Sequence, residues 1–388
     1  MTDTALLCSE SPISLAVIRE LGAHGVAVRP IVRRTDSFLC ASRYAGKSIL
    51  RPSGAVADWL EDLARREGID KVMAIGEADV LALAELRQAG SPLLIAAPLP
   101  EQMRLVLDKQ ALLGLAEEVG LEVPRSWQPT GSDLSWLAED ARFPLVAKWS
   151  DPLSVSATLD AAGLSLDKVI YCDDRAALTE YLARFDGVGV YPIVQEYAPG
   201  YGLGQMVHAM DGEITLRFQH RRLREWPLSG GVSSLCEAVP LNEHAELRAQ
   251  SEALLGKLRW TGPAMVEFRH DPATGRSVLM EINGRFWGSL PLASAAGVQF
   301  GWESWRHAFG YGKATVQPAY PQRAARYMAP EMKNLRDVWT GHGSVGAKLG
   351  FSGRFLARFL DPRVRYYVWR WSDPAPLWAD LRNLTRRA

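Results

Sequence analysis

Apolar positions along the first hundred residues alternate between two periods. Residues 4–8 are a short run with the pattern of a buried strand. Ser11 and Pro12 follow as an N-cap and first helical residue. Leu15, Ile18 and Leu21 then come at helical spacing until Gly22 and Gly25 end the element. Residues 26–32 predict a second strand. Residues 56–67 predict a helix with Trp59, Leu60 and Leu63 on one face, and 71–75 a third strand. This cadence predicts a parallel sheet. The Ser9-Glu10-Ser11 turn suits an anion at a helix N-terminus or a plain N-cap. With no GxGxxG present, the N-cap reading is preferred.

Pro98 and Pro100 mark a boundary. Beyond it Ala111, Leu112, Leu115, Ala116 and Val119 share a helix face that Gly120 ends. Strands are predicted at 143–149, 191–196, 213–219, 264–270 and 277–282, and helices at 176–185 and 245–258. Residues 351–360 return to helical spacing, with Arg354 and Arg358 on one face.

Composition changes this picture in three ways. The chain has 388 residues, 47% apolar and 23% charged, which excludes a disordered chain and leaves room for two to three domains at roughly 150 residues each. Lys+Arg and Asp+Glu are equal at 44, which argues against a protein that coats nucleic acid. The neutrality is uneven: residues 321–388 hold 13 basic and 5 acidic residues, so they carry +8 and the rest −8. That basic segment is rich in aromatics (Trp339, Trp369, Trp371, Trp378) and is expected to pack against the acidic remainder. The alternatives are an anionic membrane surface or an acidic partner. Cys8, Cys40, Cys172 and Cys236 form no CxxC pair. They predict a reducing, cytoplasmic setting without disulfides or structural zinc. Neither a signal peptide nor an 18-residue apolar run is expected.

The strongest chemical signal is a hairpin: AMVEFRH at 264–270, the turn DPATG at 271–275, then SVLMEINGR at 277–285. Strand alternation puts Val266, Phe268, Val278, Met280 and Ile282 on one face and Glu267, Arg269, Glu281, Asn283 and Arg285 on the other. Folding about Thr274 would set Glu267 opposite Glu281. Like charges directly opposite are destabilising. A divalent cation would resolve the conflict, with Asn283 as a neutral oxygen ligand and Arg285 as a fork for phosphate. Arg269 and Arg285 pairing with the two glutamates would resolve it as well. Upstream lie LDK at 107–109, PLVAK at 144–148 and IVQEYAPG at 193–200, the last a strand running into a Pro/Gly turn.

In this order the motifs resemble the ATP-grasp superfamily, which includes D-alanine–D-alanine ligase, biotin carboxylase and the ATP-binding domains of carbamoyl phosphate synthase. The branch it resembles is the carboxylate–amine ligase-like one. The resemblance covers about residues 1–310. It implies a mixed α/β and α+β fold: a Rossmann-like pre-grasp domain at 1–105, a first ATP-grasp lobe at 106–190, a second lobe with the metal site at 191–320, and a helical basic segment at 321–388. It also implies that Lys109 and Lys148 bind ATP phosphates and that Gln195 faces the adenine amino group. Glu196 and Ala198 would offer main-chain contacts. Glu267, Glu281 and Asn283 would hold Mg²⁺, or Mn²⁺, and Arg285 the transferring phosphoryl group.

The chain departs from the family pattern in two places. The Gly-rich loop that usually follows the second lysine is missing, since residues 149–160 contain no glycine, and Lys168 is the candidate to compensate. The usual acidic ribose ligand would fall near Gly202, so ribose recognition must come from elsewhere. FQHRRLREW at 218–226 runs into PLSGGVS at 227–233, and Arg221 and Arg224 are assigned to an anionic acceptor or acyl phosphate. No histidine is expected as a base, and Phe286 and Trp287 are expected in the core.

The implied reaction is ATP-dependent activation of a small-molecule carboxylate as an acyl phosphate, with ADP released, and its transfer to an amine, in a homodimer. A carboxylase or carbamoyl-phosphate-type enzyme working with a partner subunit is one alternative. A nucleotide-binding sensor or scaffold without turnover is the other.

Overall fold

Pro12 fixes the start of the first helix because its ring presets φ and its missing N–H is not needed there. In the computed structural model, which describes residues 3–150, 152–167, 169–228, 230–311 and 316–387, helix α1 (Pro12–Ala23) begins at that proline. Ser11 occupies the cap with extended backbone, but its hydroxyl lies 2.7 Å from Ser9 Oγ and does not cap the helix.

The chain packs as two units. One is Met1–Met103, Leu203–Met265 and Asn283–Ala388; the other is Arg104–Gly202 and Val266–Ile282. In the first unit, strands β1 (Asp3–Leu7), β2 (Val28–Val32), β3 (Ile49–Leu50), β4 (Ile69–Ala74) and β5 (Leu94–Ala96) form a parallel sheet in the order β3-β2-β1-β4-β5. Helices α2 (Val56–Glu67) and α3 (Glu77–Gln88) cross between its strands. The predicted parallel sheet and mixed α/β character are therefore present. The central strands are buried along their length, as parallel strands covered on both faces must be.

Helix α4 (Pro100–Leu107) leads into the second unit, which holds α5 (Lys109–Glu118), β6 (Ser126–Trp127), β7 (Leu145–Lys148), α6 (Pro152–Ala161), β8 (Ile170–Cys172), α7 (Arg175–Ala183) and β9 (Ile193–Glu196). Its four strands pair antiparallel in the order β6-β9-β7-β8. Leu145, Ala147 and Val194 pack with Leu178, Leu182 and Phe185 to form its core.

Strands β10 (Tyr201–Met210), β11 (Glu213–Trp226) and β12 (Val232–Ala238) form the antiparallel meander of the first unit. Neither β10 nor β12 is predicted from the sequence. Eight consecutive residues of β10 are buried, so it lacks the alternation that marks a half-exposed strand, and Gly202, Gly204, Gln205 and His208 break up its apolar pattern. After α8 (Ala245–Lys257), strand β13 (Gly262–His270) passes from the first unit into the second, and β14 (Ser277–Asn283) returns. Helices α9 (Leu290–Ala295) and α10 (Phe300–Ala308) follow. Phe286 and Trp287 are buried in the first unit's core, as expected.

The C-terminal part contains β15 (Ala324–Arg326), α11 (Met328–Thr340), α12 (Val345–Ala357), β16 (Val364–Tyr366) and α13 (Ala375–Arg387). It packs within the first unit, but with a polarity opposite to expectation. Among the described residues the buried pairs join acids of this segment to Arg19 and Arg224 of the body and, for Glu331, also to Arg326 of the segment itself. Asp373 accepts from Arg19 Nε at 2.8 Å, Ser42 Oγ at 2.7 Å and the Arg43 N–H at 2.9 Å. Glu331 accepts from Arg224 Nη1 at 2.6 Å and Arg326 Nη2 at 3.1 Å. Arg358 and Arg363 instead pair locally, with Asp361. Net charge misleads here because burial selects specific hydrogen-bonded pairs, while surplus surface charge stays solvated. No helix among the described residues is long and apolar enough to cross a membrane.

One more buried acid ties α1 to α10. Glu20 accepts from the Gly301 N–H at 2.6 Å, the Trp302 N–H at 3.2 Å and the Ser294 hydroxyl. Burial pushes its pKa up to about 7 against those hydrogen bonds.

Two outcomes follow. Asp373→Ala leaves Arg19 buried without its carboxylate and should cost about 3–5 kcal/mol in urea unfolding; a loss within experimental error would remove this pair from the account. Because the folded pKa of Glu20 lies above the unfolded value, its contribution is full below the unfolded pKa and falls as pH rises through about 7. Wild type should therefore lose stability relative to Glu20→Gln between about pH 4.5 and 7, by up to about 1.4 kcal/mol per pH unit, and the difference should level off above 7. Parallel pH profiles of the thermal midpoint would contradict this.

Candidate functional site

The sheet of the second unit has two chemically different faces, fixed by its register. Leu145 lies opposite Cys172 and Glu196, and Ala147 opposite Ile170 and Val194. Leu145, Ala147, Cys172 and Val194 all enter the core. The alternate positions set Gln195 beside Val146 and Ser126, and Lys148 beside Ile193. Lys148 and Gln195 therefore share the face turned away from that core.

Lys148 is 8% exposed. Burial strips water from its ammonium and Lys109 repels it, while Glu281 and Glu267 attract it; the balance lowers its pKa to about 8. Lys109 opens α5, where Asp108 caps the helix by accepting from the N–H groups of Gln110 and Ala111. Its Nζ donates to the Trp149 carbonyl at 2.8 Å. Two cations and two acids singled out from the sequence thus act on one another within a single unit.

The hairpin that carries the acids differs in detail from the predicted one. The Asp271 N–H donates to the Arg276 carbonyl at 2.9 Å, and His270 Nδ1 lies 2.8 Å from Ser277 Oγ. This closes the turn with 270 beside 277, one residue from a fold about Thr274. Alternation in β14 also breaks: Val278 and Leu279 are both buried, while Met280 and Glu281 are both partly exposed. The chain at Glu122 runs along this edge and its carbonyl takes the Leu279 N–H at 2.8 Å. The turn register alone does not set Glu267 opposite Glu281; their shared influence on Lys148 is what joins them.

Gln195 donates through Nε2 to Ser126 Oγ at 2.7 Å, and its Oε1 is buried with no hydrogen-bond partner. A buried unsatisfied acceptor costs about 1–3 kcal/mol, so this oxygen is suited to a donor from a ligand. The Glu196 N–H is spent on the Arg125 carbonyl at 2.9 Å, and Ala198 is buried beyond it. Gly200 has φ +100°, and a Cβ there would lie 2.0 Å from the His270 carbonyl oxygen. Only glycine lets the turn after β9 lie against the hairpin, where Arg269 donates to the Gly200 carbonyl. Ser126 and the Trp149 carbonyl escape sequence reading, since neither a two-residue strand nor a backbone oxygen leaves a pattern.

The glycine-free stretch after Lys148 contains helix α6, and Lys168 lies outside the described residues. Asn283 ends β14 and is buried. Arg285 donates through Nη1 to the Phe286 carbonyl at 3.0 Å, and its Nε lies 3.5 Å from Glu77 Oε2. Arg221 and Arg224 each have their own carboxylate. Arg221 Nε is 2.5 Å from Glu237 Oε1 and borders a polar cavity of about 210 Å³, whereas Arg224 is held by Glu331 beneath the Phe351 ring. His208, His220 and His270 hydrogen-bond to Thr215, Ser289 and Ser277.

No family model matches the chain. It is 28% identical over 249 residues to the carbamoyl phosphate synthase large chain of Thermus thermophilus, an alignment covering 61% of this chain and 22% of that one. The chain thus spans about a fifth of the curated relative's length. Among solved structures it is similar to the biotin carboxylase domain dimer of Hydrogenobacter thermophilus 2-oxoglutarate carboxylase, in complex with MgADP, ADP and bicarbonate (TM-score 0.64, 14% identity, 82% of this chain and 72% of that one). It is also similar to L-amino acid ligase from Bacillus licheniformis (TM-score 0.59, 17% identity, 79% and 74%). The chain shares the fold of these two proteins.

The electrostatic coupling has a direct readout. Competitive acylation of Lys148 should titrate with a midpoint near pH 8. Lys109→Met, which removes a like charge, should move the midpoint up, and Glu281→Gln, which removes an attracting charge, should move it down. A midpoint unmoved by both changes would contradict the geometry.

Proposed function

We propose that the chain is an ATP-dependent ligase that activates a carboxylate as an acyl phosphate, releases ADP and joins the acyl group to an amine. The observation that carries this reading is Lys148: a buried, under-compensated ammonium, paired with Lys109 and faced by Glu267 and Glu281. Such a site suits a polyphosphate with its divalent cation, which would complement the cations and the acids together.

In this reading Lys109 and Lys148 bind the phosphates, and the orphaned Gln195 Oε1 accepts from the adenine amino group. Main-chain atoms of Glu196 and Ala198 face the purine edge. Glu267, Glu281 and Asn283 would hold Mg²⁺ or Mn²⁺, whose charge neutralises the phosphate oxygens in the transferring state. A substrate carboxylate oxygen attacks the terminal phosphorus and ADP leaves. The amine nitrogen then attacks the acyl carbon and expels inorganic phosphate. Arg285 steadies the phosphoryl group. Arg221 and Arg224 are assigned to the acceptor, which requires each to leave its present carboxylate partner. Lys168 is assigned to the phosphates in place of a Gly-rich loop.

The reading includes a Rossmann-like pre-grasp domain at 1–105, two lobes at 106–190 and 191–320, and a basic segment at 321–388. It also includes a homodimer in the cytoplasm. A second reading takes bicarbonate as the carboxylate, and the similarity to the biotin carboxylase domain solved in complex with MgADP and bicarbonate supports it.

The purified protein with Mg-ATP should release ADP when given the correct carboxylate and amine. Stimulation by bicarbonate alone would select the second reading. Formation of AMP and pyrophosphate would sink the acyl-phosphate mechanism, and no stimulated turnover across amino acids, dipeptides and bicarbonate would favour a nucleotide sensor. Glu281→Gln should lower turnover at least about 100-fold, the cost of a lost transition-state charge contact, with an unchanged circular dichroism spectrum. A fully active variant would remove the metal assignment.

A further inference from the structure

The first unit contains a second group of metal-ligand side chains, separate from the acids of the hairpin. One ring nitrogen each of His208 and His307 and a carboxylate oxygen of Glu303 lie within 4.8 Å of one another. Glu303 and His307 are four residues apart on α10, so helical geometry puts them on one face. His208 comes from β10, and the two imidazoles stack with centroids 5.3 Å apart. His208 and Glu303 are almost wholly buried, at 1% and 4% exposed.

The surroundings prepare these groups as ligands. The Thr215 hydroxyl donates to the His208 carbonyl at 3.2 Å, so it accepts from His208 Nδ1–H at 2.8 Å. That contact fixes the neutral tautomer and leaves the lone pair on Nε2. Glu303 Oε2 accepts from Arg306 Nε at 2.8 Å, and its Oε1 lies 2.9 Å from His307 Nε2. The contacts from Thr215 and Arg306 come from outside the ligand set and are of the kind that orients metal-bound histidines and carboxylates, whereas the His307–Glu303 contact joins two of the ligands and would open when an ion enters. A cavity of about 220 Å³ is lined by His208, His307 and Ser304, together with Arg285. It leaves room for a water or ligand atom in a fourth position.

We propose that His208, Glu303 and His307 form a binding site for a borderline divalent cation of the Zn²⁺ type, with its open coordination position facing this cavity. Two imidazole nitrogens and one carboxylate oxygen suit such an ion; Mg²⁺ prefers all-oxygen ligands. The site does not depend on the ligase reading, because it shares no ligand with Glu267, Glu281 or Asn283.

The test uses the full chain, stripped with chelator and titrated with Co²⁺ in excess Mg²⁺, which occupies oxygen-only sites. One equivalent should bind, with the visible absorption of a four-coordinate Co²⁺ centre. Thr215→Val should weaken binding roughly ten- to hundredfold, His307→Gln should abolish the absorption, and Glu267→Gln should leave it unchanged. X-ray absorption of the Zn²⁺-loaded wild type needs no variant and should show two imidazoles in the metal shell. No four-coordinate absorption, absorption that survives His307→Gln, or a zinc shell without imidazole would overturn the proposal and leave Glu303 as the partner of a structural ion pair with Arg306.

Discussion

The ammonium of Lys148 is the constraint on which the candidate site rests. A buried cation needs either a counter-anion or a lowered pKa. Lys148 has both in part: the acids at 267 and 281 attract it, Lys109 repels it, and its pKa settles near 8. The phosphate-binding role proposed for Lys148 and Lys109 rests on this balance. The antiparallel register of β7 and β9 maintains it, by turning Lys148 and Gln195 to one face and the apolar core to the other.

The scaffold supports that arrangement with contacts that have no chemistry of their own. Gly200 lets the β9 turn lie on the hairpin, and Asp108 caps the helix that begins with Lys109. Elsewhere, Asp373 and Glu331 bind C-terminal elements to the first unit through buried arginines. These pairs are specific because each carboxylate accepts several hydrogen bonds, and removing one partner leaves a charge in a dry interior.

Much of this was legible in the sequence. Period-2 and period-3.6 patterns located the parallel sheet, the helix that Pro12 opens and the hairpin at 264–282. Motif order pointed to the fold. Features set by tertiary packing were less legible. Strand β10 was hidden because it is covered on both faces. The break in alternation at Val278 and Leu279, both buried, has no sign in the local pattern, because the chain that pairs along that edge, at Glu122, is far away in sequence. The basic C-terminal segment was read by net charge, whereas burial selected its few acids. The ligand character of His208 depends on Thr215 and on a helix a hundred residues away, and no spacing in the sequence links them.

A structure of the chain with Mg²⁺ and a non-hydrolysable ATP analogue tests the central claim most directly. It should place the carboxylates of Glu267 and Glu281 on a shared ion beside the terminal phosphate, with Lys148 Nζ in contact with a phosphate oxygen. A nucleotide bound elsewhere, with those acids paired only to protein cations and no ion between them, would contradict the account.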